Sequence, residues 1–151
     1  MTQNTKGPLS GITVVDLSRI LAGPYCTLLM AEMGARVIKV EPPKGGDDAR
    51  AYGPFVNGKS TYFASVNRGK ESIALDLKAE AGRDAMHGLL AASDVFIAST
   101  RPSALARLGL DQATIRARYP RLCTVSIVGF ASPDGFPLST SPAPHRPPSS
   151  R

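Results

Sequence analysis

Between Ile97 and Arg121 five arginines, Arg101, Arg107, Arg116, Arg118 and Arg121, stand against one acid, Asp111. Guanidinium groups gathered in so short a stretch suit a polyanion, because each offers a planar fork of donors to phosphate or carboxylate oxygens. Taken alone, such a cluster is usually just a solvated face, and Arg116, Arg118 and Arg121 read as solvent-facing. A second stretch of the same chemical sense is Asp16-Leu17-Ser18-Arg19-Ile20-Leu21-Ala22-Gly23-Pro24. Its glycine lets backbone approach a ligand, and a helix starting there turns its positive end toward an anion. Neither stretch is a dinucleotide fingerprint: G-x-G-x-x-G is absent, and Gly58-Lys59-Ser60 lacks the strand-loop-helix setting of a P-loop. The other reactive side chains read more plainly. Cys26 and Cys123 are too few for a disulfide framework and lack zinc spacing, so they read as small buried apolar groups in a reduced, cytoplasmic protein with no metal. His87 reads as a surface or packing residue, Met30, Met33 and Met86 as core filler, and Asp16 and Asp76 as acceptors for nearby backbone.

The elements that must position these residues follow from periodicity. Ile12 to Leu17 is short, β-branched and bounded by Gly11, which reads as a strand. Tyr25 to Met33 carries Leu28 and Leu29 at helical spacing, with Pro24 before it and Gly34 to stop it. Arg36 to Glu41 alternates with period two and ends at Pro42-Pro43, so the first forty residues form a βαβ unit with parallel strands. Residues 42 to 60, rich in proline and glycine, read as a long loop. Strands are expected over Ser72 to Leu77, Asp94 to Ala98 and Leu122 to Val128, with helices over Ala79 to Ala92, Ser103 to Leu108 and Asp111 to Tyr119. This alternation predicts an α/β fold: a Rossmann-like parallel sheet with helices on both faces, its ligands beyond the carboxyl ends of the strands.

Length and charge narrow the classes further. The chain of 151 residues is one domain's worth, and its 18 Lys and Arg against 12 Asp and Glu leave +6. That balance would permit nucleic acid, but basic and aromatic residues are not interleaved and no nucleic-acid motif is present, so no nucleic-acid partner is expected. No apolar run reaches the roughly 20 residues of a membrane span, and Met1 to Ser10 has no apolar signal core, so no membrane or secretory role is expected. Residues 132 to 151 hold six of the 13 prolines and five serines, which predicts an irregular tail after a domain over residues 1 to 131.

Several blocks, in order, resemble the family III CoA-transferases, a group that includes formyl-CoA and carnitine CoA-transferases and 2-methylacyl-CoA racemases. They are Pro8-Leu9-Ser10-Gly11-Ile12 leading into Val15-Asp16-Leu17; Ala22-Gly23-Pro24; Gly34 to Pro43 with Gly45-Gly46-Asp47; Asn67-Arg68-Gly69-Lys70 to Lys78; Asp94-Val95; Pro102 with Leu108-Gly109; and Ser126 to Phe130. The resemblance implies coenzyme A or an acyl-CoA as substrate and a carboxylic acid as acceptor, with no metal. CoA brings a pyrophosphate and a 3′-phosphate, which is what clustered cations and helix N-termini stabilise. By motif position, Arg19, Leu21 and Ala22 would line the CoA beside the first helix. Leu75, Asp76, Leu77 and Lys78 would hold its adenosine end. Ser99, Thr100 and Arg101 follow the next strand, and Arg107 matches a phosphate-contacting position.

The same resemblance implies covalent catalysis: an aspartate attacks the acyl-CoA carbonyl, giving an anhydride and then an enzyme-CoA thioester that the acceptor reopens. That aspartate belongs downstream of the segment that here is Gly129-Phe130-Ala131, past a point where this chain turns to Pro144-His145-Arg146-Pro147-Pro148. Asp134 precedes the expected position and is not assigned the role, so no residue of this chain is assigned as catalytic. The expectation is an N-terminal CoA-binding part, cut short by a frameshift or premature end near residue 143 and inactive alone. The interlocked homodimer of the family is doubtful for it. A racemase-like member and a non-catalytic CoA- or nucleotide-binding module are the alternatives.

Overall fold

The computed structural model describes residues 7–129. The expected proline-rich tail and Phe130 lie outside them. Five parallel strands form the main sheet in the order β5-β2-β1-β6-β7: β1 Thr13–Leu17, β2 Arg36–Glu41, β5 Glu71–Ala74, β6 Val95–Ala98 and β7 Cys123–Ser126. In register, Val15 lies between Ile38 of β2 and Phe96 of β6. The order grows outward from β1 in one direction and then, after β5, in the other. Strand order therefore reverses between β1 and β6, the place where the ligand crevice of an open α/β sheet lies.

Both faces of the sheet are covered, as the alternation of elements predicts. Val15, Val40 and Phe96 pack with Met86 and Leu90 of α3 (Glu80–Ala91), Leu105 of α4 (Pro102–Arg107) and Ile115 of α5 (Gln112–Arg118). On the opposite face Val14, Val37 and Ile97 pack with Cys26 and Met30 of α1 (Ala22–Glu32). Valines adjacent in β1 thus serve opposite layers, because successive side chains of a strand alternate. Asp111 caps α5 by accepting from the Thr114 N–H at 3.0 Å, and Gly34, at φ +98°, takes the left-handed turn that ends α1.

Several expectations shift. Residues 42 to 60 are not bare loop but carry a 3-10 turn, Asp48–Ala51, and a small hairpin, β3 Phe55–Val56 with β4 Lys59–Ser60, turned by Asn57 and Gly58 at positive φ. A helix not read from the sequence, α2 (Thr61–Asn67), follows at once, capped by Ser60 on the Phe63 N–H at 3.0 Å, and packs on α1. The third expected strand stops at Ala74, before the turn that Asp76 makes by accepting from the Lys78 N–H at 3.0 Å. Cys123 is exposed rather than buried, because the edge strand β7 has no neighbour on its outer side among the described residues. Met33 is 40% exposed at the end of α1, whereas Met86 is fully buried as expected. His87 packs through its ring against the Tyr119 hydroxyl, 3.1 Å away.

Candidate functional site

The crevice is built from the loop after β1 and the loop after β6. The Arg19 N–H donates to Ser99 Oγ at 3.0 Å, which ties the two loops together. Leu21 and Ala22, at the start of α1, are exposed, and α1 has no side-chain cap at this end. Across from them Arg101 caps α4 with its backbone and leaves its guanidinium exposed. Arg19 reaches sideways to Asp48, Nη2 to Oδ1 at 2.8 Å, with both side chains about half exposed.

Gly23 is essential to this geometry, though for a reason other than ligand approach. It is buried, and a Cβ placed on it would lie 2.1 Å from Ser18 Cβ and 2.2 Å from Ser18 Oγ. The close approach lets the β1 loop lie on the first turn of α1. Gly23→Ala is therefore expected to cost about 1–3 kcal/mol of stability, the usual range for overpacking. Urea unfolding checks it, and an unchanged midpoint would show that Ser18 moves aside freely.

Beneath the crevice, on the α1 side of the sheet, lies a buried ionic network. Lys39 Nζ contacts Asp47 Oδ2 at 2.8 Å and the Ser18 carbonyl at 2.9 Å. Lys70 Nζ contacts Asp16 Oδ2 at 3.2 Å, the Pro24 carbonyl at 2.7 Å and Asn67 Oδ1 at 2.9 Å. Glu41 is bound by both nitrogens of an Arg50 fork, at 2.6 and 2.7 Å, and by Ser72 Oγ at 2.7 Å. Three acids meet three bases, so the network is neutral. Burial pulls the Lys70 ammonium down to about 8 even though Asp16 favours its charge. Burial works against the Glu41 carboxylate too, but Arg50, Ser72 and the Asp47 N–H overcome it and hold Glu41 at about 2. For Asp47 the same opposition resolves downward: burial is outweighed by Lys39 and by the N–H groups of Ala49 and Ile20.

Comparison with known proteins settles the kinship of this fold. A family model described as CoA-transferase family III matches residues 9–144. The chain belongs to CoA-transferase family III. An acetyl-CoA:oxalate CoA-transferase of Acetobacter aceti is 43% identical over 147 residues, covering 95% of this chain and 37% of that protein. A succinate–glutarate CoA-transferase of Agrobacterium fabrum is 46% identical over 134 residues, covering 84% and 34%. The crystal structure of a CAIB/BAIF family protein from Brucella suis superposes with a TM-score of 0.77 at 43% identity, over 82% of this chain and 34% of that one. The chain spans about a third of the length of the curated relatives it matches.

Of the residues expected to line CoA, Arg19, Leu21 and Ala22 lie on the loop after β1 and at the start of α1, and Ser99, Thr100 and Arg101 lie on the adjoining loop after β6, joined to it by the Arg19–Ser99 bond. Leu75, Asp76, Leu77 and Lys78 lie at the same carboxyl edge but after β5, two strands or about 10 Å from β1. There the Leu75 and Leu77 side chains pack against the α3 core, leaving Lys78 exposed. Arg107 ends α4, about 9 Å of helix from the crevice rim, and is exposed. Arg116, Arg118 and Arg121 are also exposed, as expected. Sequence reading missed Lys39, Glu41, Asp47, Arg50 and Lys70, whose ion pairs and hydrogen bonds fix the loops around the crevice. A groove of about 650 Å³ beside α2, lined by Arg50, Lys59, Ser60, Phe63 and Arg68 among others, contains none of the expected CoA residues. Three of its cations are already engaged, Arg50 by Glu41, Arg68 by Glu32 and Lys70 by Asp16. Among the described residues no helix is long and apolar enough to cross a membrane, and no group of His, Cys, Asp and Glu is arranged to hold a metal.

Proposed function

We propose that residues 1–131 form the N-terminal CoA-binding half-site of a CoA-transferase that moves CoA from an acyl-CoA to a carboxylic acid. The observation that supports this reading is the β1/β6 strand-order reversal in a chain of this family, where the loop carrying Arg19, Leu21 and Ala22 is bonded to the loop carrying Ser99 to Arg101. Arg101 and Arg107 are exposed and make no ion pair among the described residues, so they are the cations available to the CoA phosphates. In the complete reaction an aspartate carboxylate attacks the thioester carbonyl and expels the CoA thiolate, giving an acyl anhydride. The thiolate then attacks the enzyme's own carbonyl and releases the acyl carboxylate, and the acceptor acid reverses the sequence. No residue of this chain is assigned as that aspartate, so the chain alone is expected to bind CoA without turning it over. The free cysteines support a reducing, cytoplasmic setting.

Calorimetry with CoA tests the reading. Micromolar binding is expected, weakened about tenfold in Arg101→Ala, the scale of one lost charge-assisted hydrogen bond. No heat with CoA, or an Arg101→Ala titration matching wild type, sinks it. Turnover of succinyl-CoA or another acyl-CoA by the purified chain alone would refute that expectation.

A further inference from the structure

Ile20 is β-branched and yet sits at φ +69°, a left-handed conformation that such residues resist. It persists because the loop is held from outside. The Ile20 N–H donates to both carboxylate oxygens of Asp47, at 3.0 and 3.3 Å. Just before it, the Ser18 carbonyl accepts from Lys39 Nζ and the Arg19 guanidinium is engaged by Asp48. Asp47 arrives there through the turn at Gly45 and Gly46, both at positive φ, and a Cβ on Gly46 would lie 2.7 Å from Glu41 Oε2. Lys39 and Asp47 are each 1% exposed, so neither side chain reaches the open crevice, and their bonds end on the backbone of the strained loop.

We propose that Asp47, oriented by Lys39, is a positioning residue for the CoA crevice: it holds Ile20 left-handed so that Arg19, Leu21 and Ala22 stay presented at the crevice mouth. The proposal rests on the CoA reading above for the ligand, but the restraint itself stands on the bonds just described. A charged carboxylate suits the task because it receives Ile20, Ala49 and Lys39 at once. An amide offers one acceptor oxygen and faces Lys39 without a charge to match it.

The test uses the full chain as wild type, Asp47→Asn, Ile20→Gly and the double variant, with amide hydrogen exchange at residues 19–22 and CoA affinity by calorimetry. Asp47→Asn is expected to speed exchange of the Ile20 amide and to weaken CoA binding about tenfold, the scale of a lost charge-assisted bond. The double variant should recover most of that affinity, since glycine adopts positive φ unaided. An equal affinity loss from Asp47→Asn in both backgrounds would make Asp47 merely structural and overturn the proposal. Unchanged Ile20 exchange in Asp47→Asn defeats the restraint itself, whereas a wild-type chain that takes up no CoA defeats the CoA reading and the ligand named here. Should Asp47→Asn fail to fold, Ile20→Gly decides alone: relief of strain should raise the thermal midpoint, and a fall overturns the proposal.

Discussion

Asp16→Ala is expected to destabilise the domain by about 3–5 kcal/mol at pH 7, the cost of leaving one member of a buried ion pair alone. Asp16 is wholly buried at the end of β1 and accepts from the Thr27 hydroxyl at 2.5 Å, the Ser18 N–H at 2.9 Å, the Ser18 hydroxyl and Lys70 Nζ. Without it, Lys70 keeps only two neutral acceptors, the Pro24 carbonyl and Asn67 Oδ1, around an ammonium that is 1% exposed. Loss on this scale consumes much of the 5–15 kcal/mol that holds an ordinary domain folded. The pH dependence gives the cause away. Folded Lys70 releases its proton near 8 and the unfolded chain near 10.5, so between those values the unfolded state holds more protons and wild-type stability rises with pH. Asp16→Ala should recover part of its deficit above pH 8, as Lys70 sheds its charge, and Lys70→Met should abolish the alkaline rise. Urea unfolding at pH 7 and 9.5 measures both effects. A cost below about 1 kcal/mol at pH 7 would mean that the pair is solvated and worth no more than a surface salt bridge.

The network that makes this prediction large is also the part of the molecule that sequence reading passed over. Arg36 to Glu41 alternates in the sequence as though one face met water, and that period found the strand correctly. Yet β2 is an inner strand of a parallel sheet, and such strands are covered on both faces. Lys39 and Glu41 therefore had to be buried on the same side as Val37, and so had to be paired. Their partners Asp47 and Arg50 lie in the proline- and glycine-rich segment whose composition suggested only loop. That segment has a tight path because it must return to the sheet and deliver two acids, one to Lys39 and the Ile20 backbone and one to Arg19. Helix α2 escaped for a related reason. It is seven residues long, with too few turns for a periodic signal, and its start is set by the Ser60 cap. By contrast the strand ends and the glycine-proline start of α1 that carry the expected site residues were legible, since they are local features, and motif order carried the family.

The neutrality of the network also bears on how a polyanion would be received. Asp16, Glu41 and Asp47 balance Lys39, Arg50 and Lys70 beneath the loops, so none of those bases is free to neutralise a phosphate. In the proposed site, attraction comes from exposed cations: Arg101 at the rim, Arg107 about 9 Å further along α4, and Arg19 if a phosphate displaces Asp48. Rim charges are screened by salt whereas the buried pairs are not. In the proposed site the two layers therefore separate, with exposed cations at the surface to meet a polyanion and paired charges below to hold the loops in shape.

Glu41 ties this lower layer to acid stability, and the expected result is a loss of about 3 kcal/mol between pH 4.5 and pH 2 that Glu41→Gln does not show. Folded Glu41 stays ionised down to about 2, while the unfolded chain takes up its proton near the ordinary 4.5. The stabilisation is therefore complete above pH 4.5 and disappears as pH falls toward 2. Its source is geometric: a bidentate Arg50 fork, the Ser72 hydroxyl and the Asp47 N–H at 2.9 Å all favour the charged form in a site that is 4% exposed. Arg50 is itself steadied by its guanidinium lying 3.7 Å from the centre of the Phe63 ring, which links the carboxylate at the end of β2 to α2. Protonation at Glu41 should then loosen the turn carrying Asp47, whose own ionisation is held low by Lys39 and by the N–H groups of Ala49 and Ile20. In the wild type the acid limb of a urea midpoint against pH should be steep, with amide exchange at residues 47–52 rising along it. In Glu41→Gln the neutral-pH stability should already be low and the limb shallow. A Glu41→Gln profile parallel to wild type would show that other carboxylates carry the acid transition.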